Sequence, residues 1–318
     1  MFEIPVNNKF CVISLQVVGL AQVIKFPLCF DGTLWALSTQ PFEVNGAWQK
    51  DLGVRANHFK LSNLFLVGLK PSPTPEVMDG ENEALERQMR FLYIALAISG
   101  LRFEAAGLML NGSKLPLPAG VQVRSVNDTS RMYHSSERGS LQVKECDLVR
   151  AAHMAANLTA LYAREPTPRL LKGIRSFVSG LESQHGEQRL HGFVRALDGV
   201  TKLPRGKSER EFVKRCQIFT GSTTRDQKLL SELYRLRSAG EHLNPFELEL
   251  SQYLRTDWEA VTMRRTQQAE ALARHVFVRI LSSHEFVDRF SQDEWLDVLW
   301  AKSSAEIMEA WGEQVDLH

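Results

Sequence analysis

An arginine and a histidine stand five positions apart at the polar end of a leucine-rich segment, residues 229–242. The guanidinium of Arg237 is always charged and can hold phosphate oxygens through a fork of N–H donors. The imidazole of His242 can move a proton near neutral pH. These two residue types are suited to attack on a phosphodiester. The alternative interpretation is an ordinary helix C-terminus, where basic side chains meet the negative end of the helix dipole.

The distance between these two side chains depends on where their helix ends. Leucines at helical spacing predict an apolar stripe that faces a core, formed by Leu229, Leu230, Leu233 and Leu236. On an unbroken helix, residues five apart point roughly 140° away from each other. We predict that the helix ends at Gly240, before a break at residues 244–245. His242 then folds back beside Arg237, and the neighbouring Glu241 stabilises the protonated imidazole.

A basic stretch precedes this helix. Six cationic side chains lie between residues 202 and 215, against Glu209 and Glu211. Clustered Lys and Arg attract a phosphate backbone, which predicts RNA contacts from this stretch and from the next helix at Lys207, Arg210, Lys214, Arg215 and Arg235. The alternative is a solvated helix start with a basic loop. Residues 285–316 carry nine acidic side chains against two basic ones, which predicts a face that repels RNA and serves protein contacts.

The composition is that of an ordinary globular protein. The chain has 318 residues, enough for about two domains, and 44% of them are apolar and 24% charged. Its 38 Lys and Arg against 37 Asp and Glu give a formal net charge of +1. These values exclude a disordered chain and a uniformly basic surface, so any RNA contact must come from a local patch. The four cysteines, none in a C-x-x-C pair, predict reduced thiols and a cytoplasmic location.

Several cofactor and metal motifs are missing from the sequence. It has no phosphate-binding glycine loop of the P-loop or dinucleotide type and no Gly-x-Ser-x-Gly elbow. The pair His284-Glu285 lacks a second histidine at the helical offset that a zinc site needs. Neither a cofactor nor a metal site is therefore predicted. The longest apolar runs, 10–26 and 92–110, contain glutamines or charged residues, so no membrane span is expected.

Residues 1–140 combine strand and helix patterns. Val, Ile, Phe and Leu predict strands over 10–18, 23–30, 33–38, 58–69, 102–110 and 121–126. The dipeptides Asp31-Gly32 and Asn111-Gly112 predict turns between neighbouring strands. Apolar residues three and four apart predict a helix over 81–99. This part is interpreted as an α+β domain with a recognition or regulatory role.

Residues 141–318 carry helical patterns almost throughout. Predicted helices cover 146–164, 169–181, 189–203, 208–219, 224–238, 257–282 and 291–311. Thr224 or Asp226 is expected to cap the fifth of these. Trp295, Trp300 and Trp311 are expected to anchor the core. The predicted fold class is therefore α+β, with a strand-rich N-terminal α+β domain (1–140) followed by an all-α helical bundle (141–318).

Three segments of the helical part match a known pattern. They are Arg-Leu-His-Gly-Phe-Val-Arg-Ala-Leu-Asp-Gly-Val (189–200), Glu-Phe-Val-Lys-Arg (211–215) and Tyr-Arg-Leu-Arg-Ser-x-x-x-His (234–242). Together they resemble the HEPN superfamily, specifically its Apea-like branch. The resemblance implies a HEPN-like four-helix bundle that pairs into a homodimer. The chain departs from the family pattern at Gly240 and Leu243, and residues 243–256 resemble an insertion.

The resemblance also implies a chemistry. In many HEPN proteins, an arginine and a histidine from both copies line one cleft and cut RNA without metal, with the 2′-hydroxyl of the RNA attacking the adjacent phosphate. Carried onto this chain, His242 would act as general base or acid and Arg237 would stabilise the charge of the transition state. Ser238 would be an auxiliary donor that contacts the RNA. The predicted function is a metal-independent endoribonuclease in stress response or phage defence, and the alternative is a non-catalytic HEPN module that binds RNA or a protein partner.

Overall fold

The computed structural model of the protein describes residues 2–43, 46–134, 142–204, 208–242 and 246–318. Within these ranges the chain is mixed α+β, as predicted, with one six-stranded antiparallel sheet and thirteen α-helices. It divides into two compact units. The first unit contains the residues up to Met132 together with residues 142–159. The second unit contains Tyr133, His134 and the residues from Ala160 to His318. The domain boundary predicted at residue 140 lies outside the described residues.

The first unit is built on the sheet. Its strands are β1 (Asn8–Leu15), β2 (Leu28–Cys29), β3 (Leu34–Leu37), β4 (Leu64–Pro71), β5 (Leu108–Lys114) and β6 (Val121–Asp128). Their order across the sheet is β2-β3-β4-β1-β5-β6, and every neighbouring pair is antiparallel. Every residue of β1 is buried because β4 and β5 flank it and helices cover both of its faces.

Helices α1 (Gly46–Leu52), α2 (Val54–Leu61), α3 (Gly80–Ile98) and most of α4 (Glu145–Tyr162) complete this unit. Successive side chains of a strand point to opposite faces of the sheet. Phe10 and Val12 of β1 pack with Phe59 of α2. On the other face, Lys9 Nζ lies 2.7 Å from Oδ1 of Asp79, the residue that caps α3. A lysine is tolerated at this fully buried position because carboxylates at the start of α3 pair with its charge.

Several predicted strands of this unit are shorter in the structure, among them the following two. The stretch predicted as a strand over 58–69 begins as the end of α2 and becomes β4 only at Leu64. The strand predicted over 23–30 is reduced to the two residues of β2. Pro27 explains this second difference, because a proline has no N–H to donate to a strand ladder. The helix predicted over 81–99 is confirmed as α3.

The turn predicted at Asn111-Gly112 is wrong. Both residues lie inside β5, at a register shift in its pairing with β6. A Cβ atom at Gly112 would overlap the carbonyl oxygen of Gln122, so this glycine is needed for the close approach of two strands. The connection between β5 and β6 is made instead by residues 115–120.

The second unit is helical. It contains α5 (Arg169–Glu182), α6 (Gly186–Thr201), α7 (Ser208–Thr220), α8 (Thr224–Glu241), α9 (Glu247–Leu250), α10 (Trp258–Leu281), α11 (His284–Phe290), α12 (Asp293–Ala301) and α13 (Ser304–Trp311). Helix α6 lies at the centre and packs against α5, α8 and α10. Six of the seven helices predicted in the C-terminal part are confirmed, with ends shifted by a few residues.

The seventh predicted helix, over 291–311, is wrong because two shorter helices, α12 and α13, cover this stretch. A new helix begins at α13 because the Ser303 hydroxyl accepts from the N–H of Glu306, whose carboxylate in turn accepts from the N–H of Ser303.

The cap of α8 is one residue from its predicted place. Thr223 caps this helix in a capping box with Asp226.

The tryptophans near the C-terminus pack in an aromatic cluster. Trp311 is 3% exposed, and its ring centroid lies 4.6 Å from that of Phe219. Its role as a core anchor is therefore confirmed. Trp295 and Trp300 are partly buried, and each packs against one phenylalanine ring, of Phe290 and of Phe219. These contacts add stabilisation beyond the apolar area they bury.

Glycines bring α5 and α6 into backbone contact. Gly173 and Gly180 of α5 face Gly199 and Gly192 of α6, and the two glycines of each helix are seven residues apart. A Cβ atom at Gly199 would lie 2.7 Å from Cα of Gly173, and one at Gly192 would lie 2.9 Å from Cα of Gly180. Because both neighbours are backbone atoms, no side-chain movement can relieve such a clash. We call this contact the glycine seam.

Candidate nucleic-acid interface

The helix that carries Arg237 and His242 does not bend at Gly240. Helix α8 continues through Gly240 to Glu241, and the N–H of His242 still donates to Ser238 O at 3.1 Å. The predicted turn is therefore wrong. Arg237 and His242 keep the roughly 140° separation of residues five apart on an unbroken helix. His242 is exposed to solvent, and no hydrogen bond or ion pair joins the two side chains within the described part of the chain.

Arg237 is held by two carboxylates. Its Nη2 lies 2.6 Å from Oδ2 of Asp198 on α6, and its Nη1 lies 2.9 Å from Oε2 of Glu241. The Arg237 side chain is only 12% exposed. Burial raises the pKa of Asp198, and the positive charge of Arg237 opposes that rise. A phosphate would have to compete with both carboxylates for this guanidinium.

Arg237 lines a groove of about 1110 Å³ that we call the Arg237 groove. Its lining includes nearly equal numbers of cationic and acidic side chains: Arg164, Arg169, Lys172, Arg175, Arg195 and Arg237 against Glu165, Asp198, Glu241, Asp293 and Glu294. Two of the cations besides Arg237 are also engaged, since Arg164 pairs with Asp288 and Arg169 donates to Asp198 O. This near balance of charge gives the groove only a weak attraction for a polyanion.

A larger groove of about 1310 Å³ lies between α7, α8 and α10, and we call it the cationic groove. Six cationic side chains line it: Arg210, Arg225, Lys228, Arg235, Arg264 and Arg265. Its three lining carboxylates are Glu209, Glu232 and Glu249. The excess of positive charge gives this groove the electrostatic character of an anion site.

Four of the six cations are exposed and form no ion pair with any described residue: Arg210, Arg225, Lys228 and Arg264. The other two are paired within the groove. Arg235 Nε lies 3.0 Å from Oε1 of Glu209, and Arg265 Nη2 lies 2.8 Å from Oε2 of Glu232. The four unpaired cations can therefore bind an incoming anion without breaking an existing contact.

Two of the predicted RNA-binding residues, Arg210 and Arg235, line the cationic groove. Lys214 is exposed on α7 but does not line this groove. Ser238 lines a separate small pocket of about 160 Å³. Lys207 lies outside the described residues. The local sequence thus identified one side of the groove, which is the side formed by α7 and the middle of α8.

Arg215 faces the interior of the helical unit. Its guanidinium donates to the carbonyl oxygens of Thr201 and Lys202, at the C-terminal end of α6. It also lies 5.2 Å from the ring centroid of Trp300. These carbonyls have no partner within their own helix, so the structure gives Arg215 a capping role.

The cations that α10 contributes to the groove were not predicted from the sequence. The doublet Arg264-Arg265 was a visible signal, and Arg225 and Lys228 stand three residues apart on one face of α8. Their convergence was not visible, because it depends on α8 and α10 lying side by side.

A buried ion cluster was also missed. Glu270 of α10 is fully buried, with Oε2 lying 3.4 Å from Nη2 of Arg189 and Oε1 lying 3.3 Å from Nδ1 of His134. Arg274 pairs with the same carboxylate at 2.5 Å. Buried charges of this kind need partners to be tolerated, and we interpret the cluster as structural.

Among the residues that the structure describes, no three His, Cys, Asp or Glu side chains converge as metal ligands. None of the described helices has the length and apolar character that crossing a bilayer requires. Comparisons with protein-family models, with curated proteins and with solved structures found no match to this chain.

Proposed function

We propose that the helical unit binds RNA in the cationic groove. The proposal is carried by one observation: four exposed cations line a single groove and form no ion pair with any described residue. Lys and Arg side chains that bind phosphates release the counterions condensed on a nucleic acid, and this release supplies most of the sequence-independent affinity. The groove is well suited to that mode of binding.

The size and the polar lining of the groove favour a polymer over a small anion. Pockets for small molecules typically span roughly 300–1,000 Å³ and are mostly apolar, whereas this groove spans about 1310 Å³. Besides the charged side chains, its wall includes Gln227, Gln252, Gln267, Gln268 and Ser231. Amide and hydroxyl groups of this kind commonly bind phosphate and sugar oxygens.

The resemblance of residues 189–242 to the HEPN superfamily supports RNA as the polymer. Of the two functions that the resemblance implies, the non-catalytic module fits this geometry better. Arg237 is already bound by two carboxylates, and His242 points away from it. The unit is therefore proposed to bind RNA as a HEPN-like module. The cytoplasmic location of the protein stays a prediction, based on its four cysteines.

The test is RNA binding by fluorescence anisotropy at several salt concentrations. If four cations each neutralise one phosphate of a single strand, log K falls against log salt with a slope of about −3. The double variant Arg225→Ala, Arg264→Ala is expected to bind more weakly and to lose about half of that slope, roughly 1.4 units. Arg289→Ala is the matched control, since Arg289 is exposed on α11 and outside the groove. Equal affinities of the double variant and the control would overturn the proposal.

Endoribonuclease activity is the second candidate, and the exposure of His242 favours it. Within one chain this histidine does not reach Arg237, but at the end of α8 it is accessible to a second copy. A homodimer would then pair Arg237 of each copy with His242 of the partner subunit. RNA cleavage in the presence of chelator is expected to be lost in Arg237→Ala and in His242→Ala and to be partly restored when the two variants are mixed. Full activity of His242→Ala would exclude this site.

A further inference from the structure

Tyr253 is fixed at the wall of the cationic groove by its hydroxyl. The hydroxyl donates to Oε2 of Glu232 at 3.0 Å and accepts from Nη2 of Arg265 at 2.9 Å. Arg265 Nη2 also donates to the same Glu232 oxygen at 2.8 Å. The three side chains therefore form a closed hydrogen-bonded triangle. Since Tyr253 is partly exposed and lines the groove, its side chain is held in place in the same groove as the unpaired cations.

Glu232 retains an unused acceptor. The residue is only 9% exposed, and its Oε1 has no hydrogen-bond partner among the described residues. Because this oxygen is also shielded from solvent, it is not available to a ligand in the groove, and Glu232 acts through Oε2 to hold Tyr253 in place. The groove thus combines a fixed aromatic ring with exposed cations.

We infer that this part of the groove is a subsite for an unpaired nucleobase. The base would stack on Tyr253, while its flanking phosphates contact Arg264 and the other unpaired cations. Aromatic rings beside a cationic track bind single strands in this way, because every base has a face that can stack. A base within a duplex has both faces stacked and its pairing edge occupied. This inference rests on the proposed RNA binding, and it specifies single-stranded RNA as the ligand.

The experiment compares three RNA ligands of equal length by fluorescence anisotropy. They are a single strand, a strand in which every nucleotide is abasic, and a duplex. The protein variants are Tyr253→Leu, which removes the ring, and Tyr253→Phe, which keeps the ring and loses the hydroxyl. Circular dichroism and thermal unfolding of each variant establish that the helical unit is still folded.

We expect the native protein to bind the single strand about tenfold more tightly than the abasic strand. Tyr253→Leu is expected to lose about tenfold in affinity for the single strand and nothing for the abasic strand or the duplex. Tyr253→Phe is expected to retain most of the affinity for the single strand. This pattern assigns the effect to stacking, because the abasic strand carries the same phosphates.

Two results would overturn the subsite. One is an affinity of Tyr253→Leu for the single strand equal to that of the native protein. The other is an equal loss for the intact and the abasic strands, which would mark Tyr253 as a structural support of the groove. The proposed function fails in a different way, because the native protein would then bind none of the three ligands with a salt-dependent affinity.

Discussion

Oδ2 of Asp198 lies 2.6 Å from Nη2 of Arg237, and this ion pair joins the C-terminal part of α6 to the C-terminal end of α8. Glu241 binds the other terminal nitrogen of the same guanidinium. The arginine that the sequence marks as a candidate for phosphodiester chemistry thus serves first to connect two helices of the unit. This arrangement has a measurable consequence for stability.

Arg237→Ala is expected to lower the free energy of unfolding by about 1–3 kcal/mol. Burial already raises the pKa of Asp198, and the substitution removes the positive charge that favours its ionised form. Arg235→Ala is the control on the same helix. Its ion pair with Glu209 is more than one-third exposed on both sides, so a loss below about 1 kcal/mol is expected. Urea unfolding monitored by circular dichroism measures both, and equal losses would contradict the structural role of Arg237.

Gly199→Ala is expected to destabilise the helical unit by about 1–3 kcal/mol. The added Cβ would lie 2.7 Å from Cα of Gly173, so α5 and α6 would have to move apart. Gly186→Ala on the same helix is the control, because nothing lies within 4 Å of a Cβ at that position, and alanine favours a helix over glycine. Thermal unfolding is expected to give a lower Tm for the first variant and an unchanged or higher Tm for the second. A similar Tm for both would exclude close packing at the glycine seam.

Ser72→Ala is expected to change how the stability of the first unit depends on pH. The hydroxyl of Ser72 donates to Glu81 at 2.7 Å, and together with Lys9 and Lys70 it lowers the pKa of Glu81 to about 2. Because the folded-state pKa lies below the ordinary value of 4.5, the contribution of Glu81 is fully present above pH 4.5 and is lost as the pH falls towards 2. The variant should therefore be less stable at neutral pH and should lose less stability on acidification.

Urea unfolding of the native protein and of Ser72→Ala, measured between pH 7 and pH 2.5, tests this expectation. Ser62→Ala is the control, because the Ser62 hydroxyl donates to the carbonyl oxygen of His58 and contacts no carboxylate. Parallel pH profiles for the native protein and Ser72→Ala would show that this hydroxyl does not set the pKa of Glu81.

Much of the helical structure could be predicted because its signals are local. The apolar residues of α3 repeat every three or four positions and are buried as that spacing requires. The residues of α2 gave no such signal, because only Ala56 and Phe59 of that helix are buried. The dipeptide Asn111-Gly112 gave a misleading one. The same glycine suits a tight turn and a close strand contact, and only the pairing of β5 with β6 decides between them.

The candidate site could be predicted only where it follows the local sequence. Arg210 was found from a run of cationic residues and Arg235 from the leucine-rich segment that follows it, and both line the cationic groove. Arg264 was missed because its approach to these residues depends on the packing of helices distant in sequence. The end of α8 was misjudged for a related reason. Glycine permits a helix to stop but does not compel it, and the ion pair from Arg237 to Glu241 spans the last turn of the continued helix.

The glycine seam also affects the position of Asp198, a residue that is not part of the seam. Asp198 immediately precedes Gly199, so the backbone contact between α5 and α6 fixes the position from which its carboxylate reaches Arg237 of α8. Any bulk introduced at Gly173 would displace this stretch of α6 and change the geometry of the ion pair between Asp198 and Arg237. An uncharged substitution, distant in sequence from Arg237, is thus expected to alter the proton affinity of Asp198.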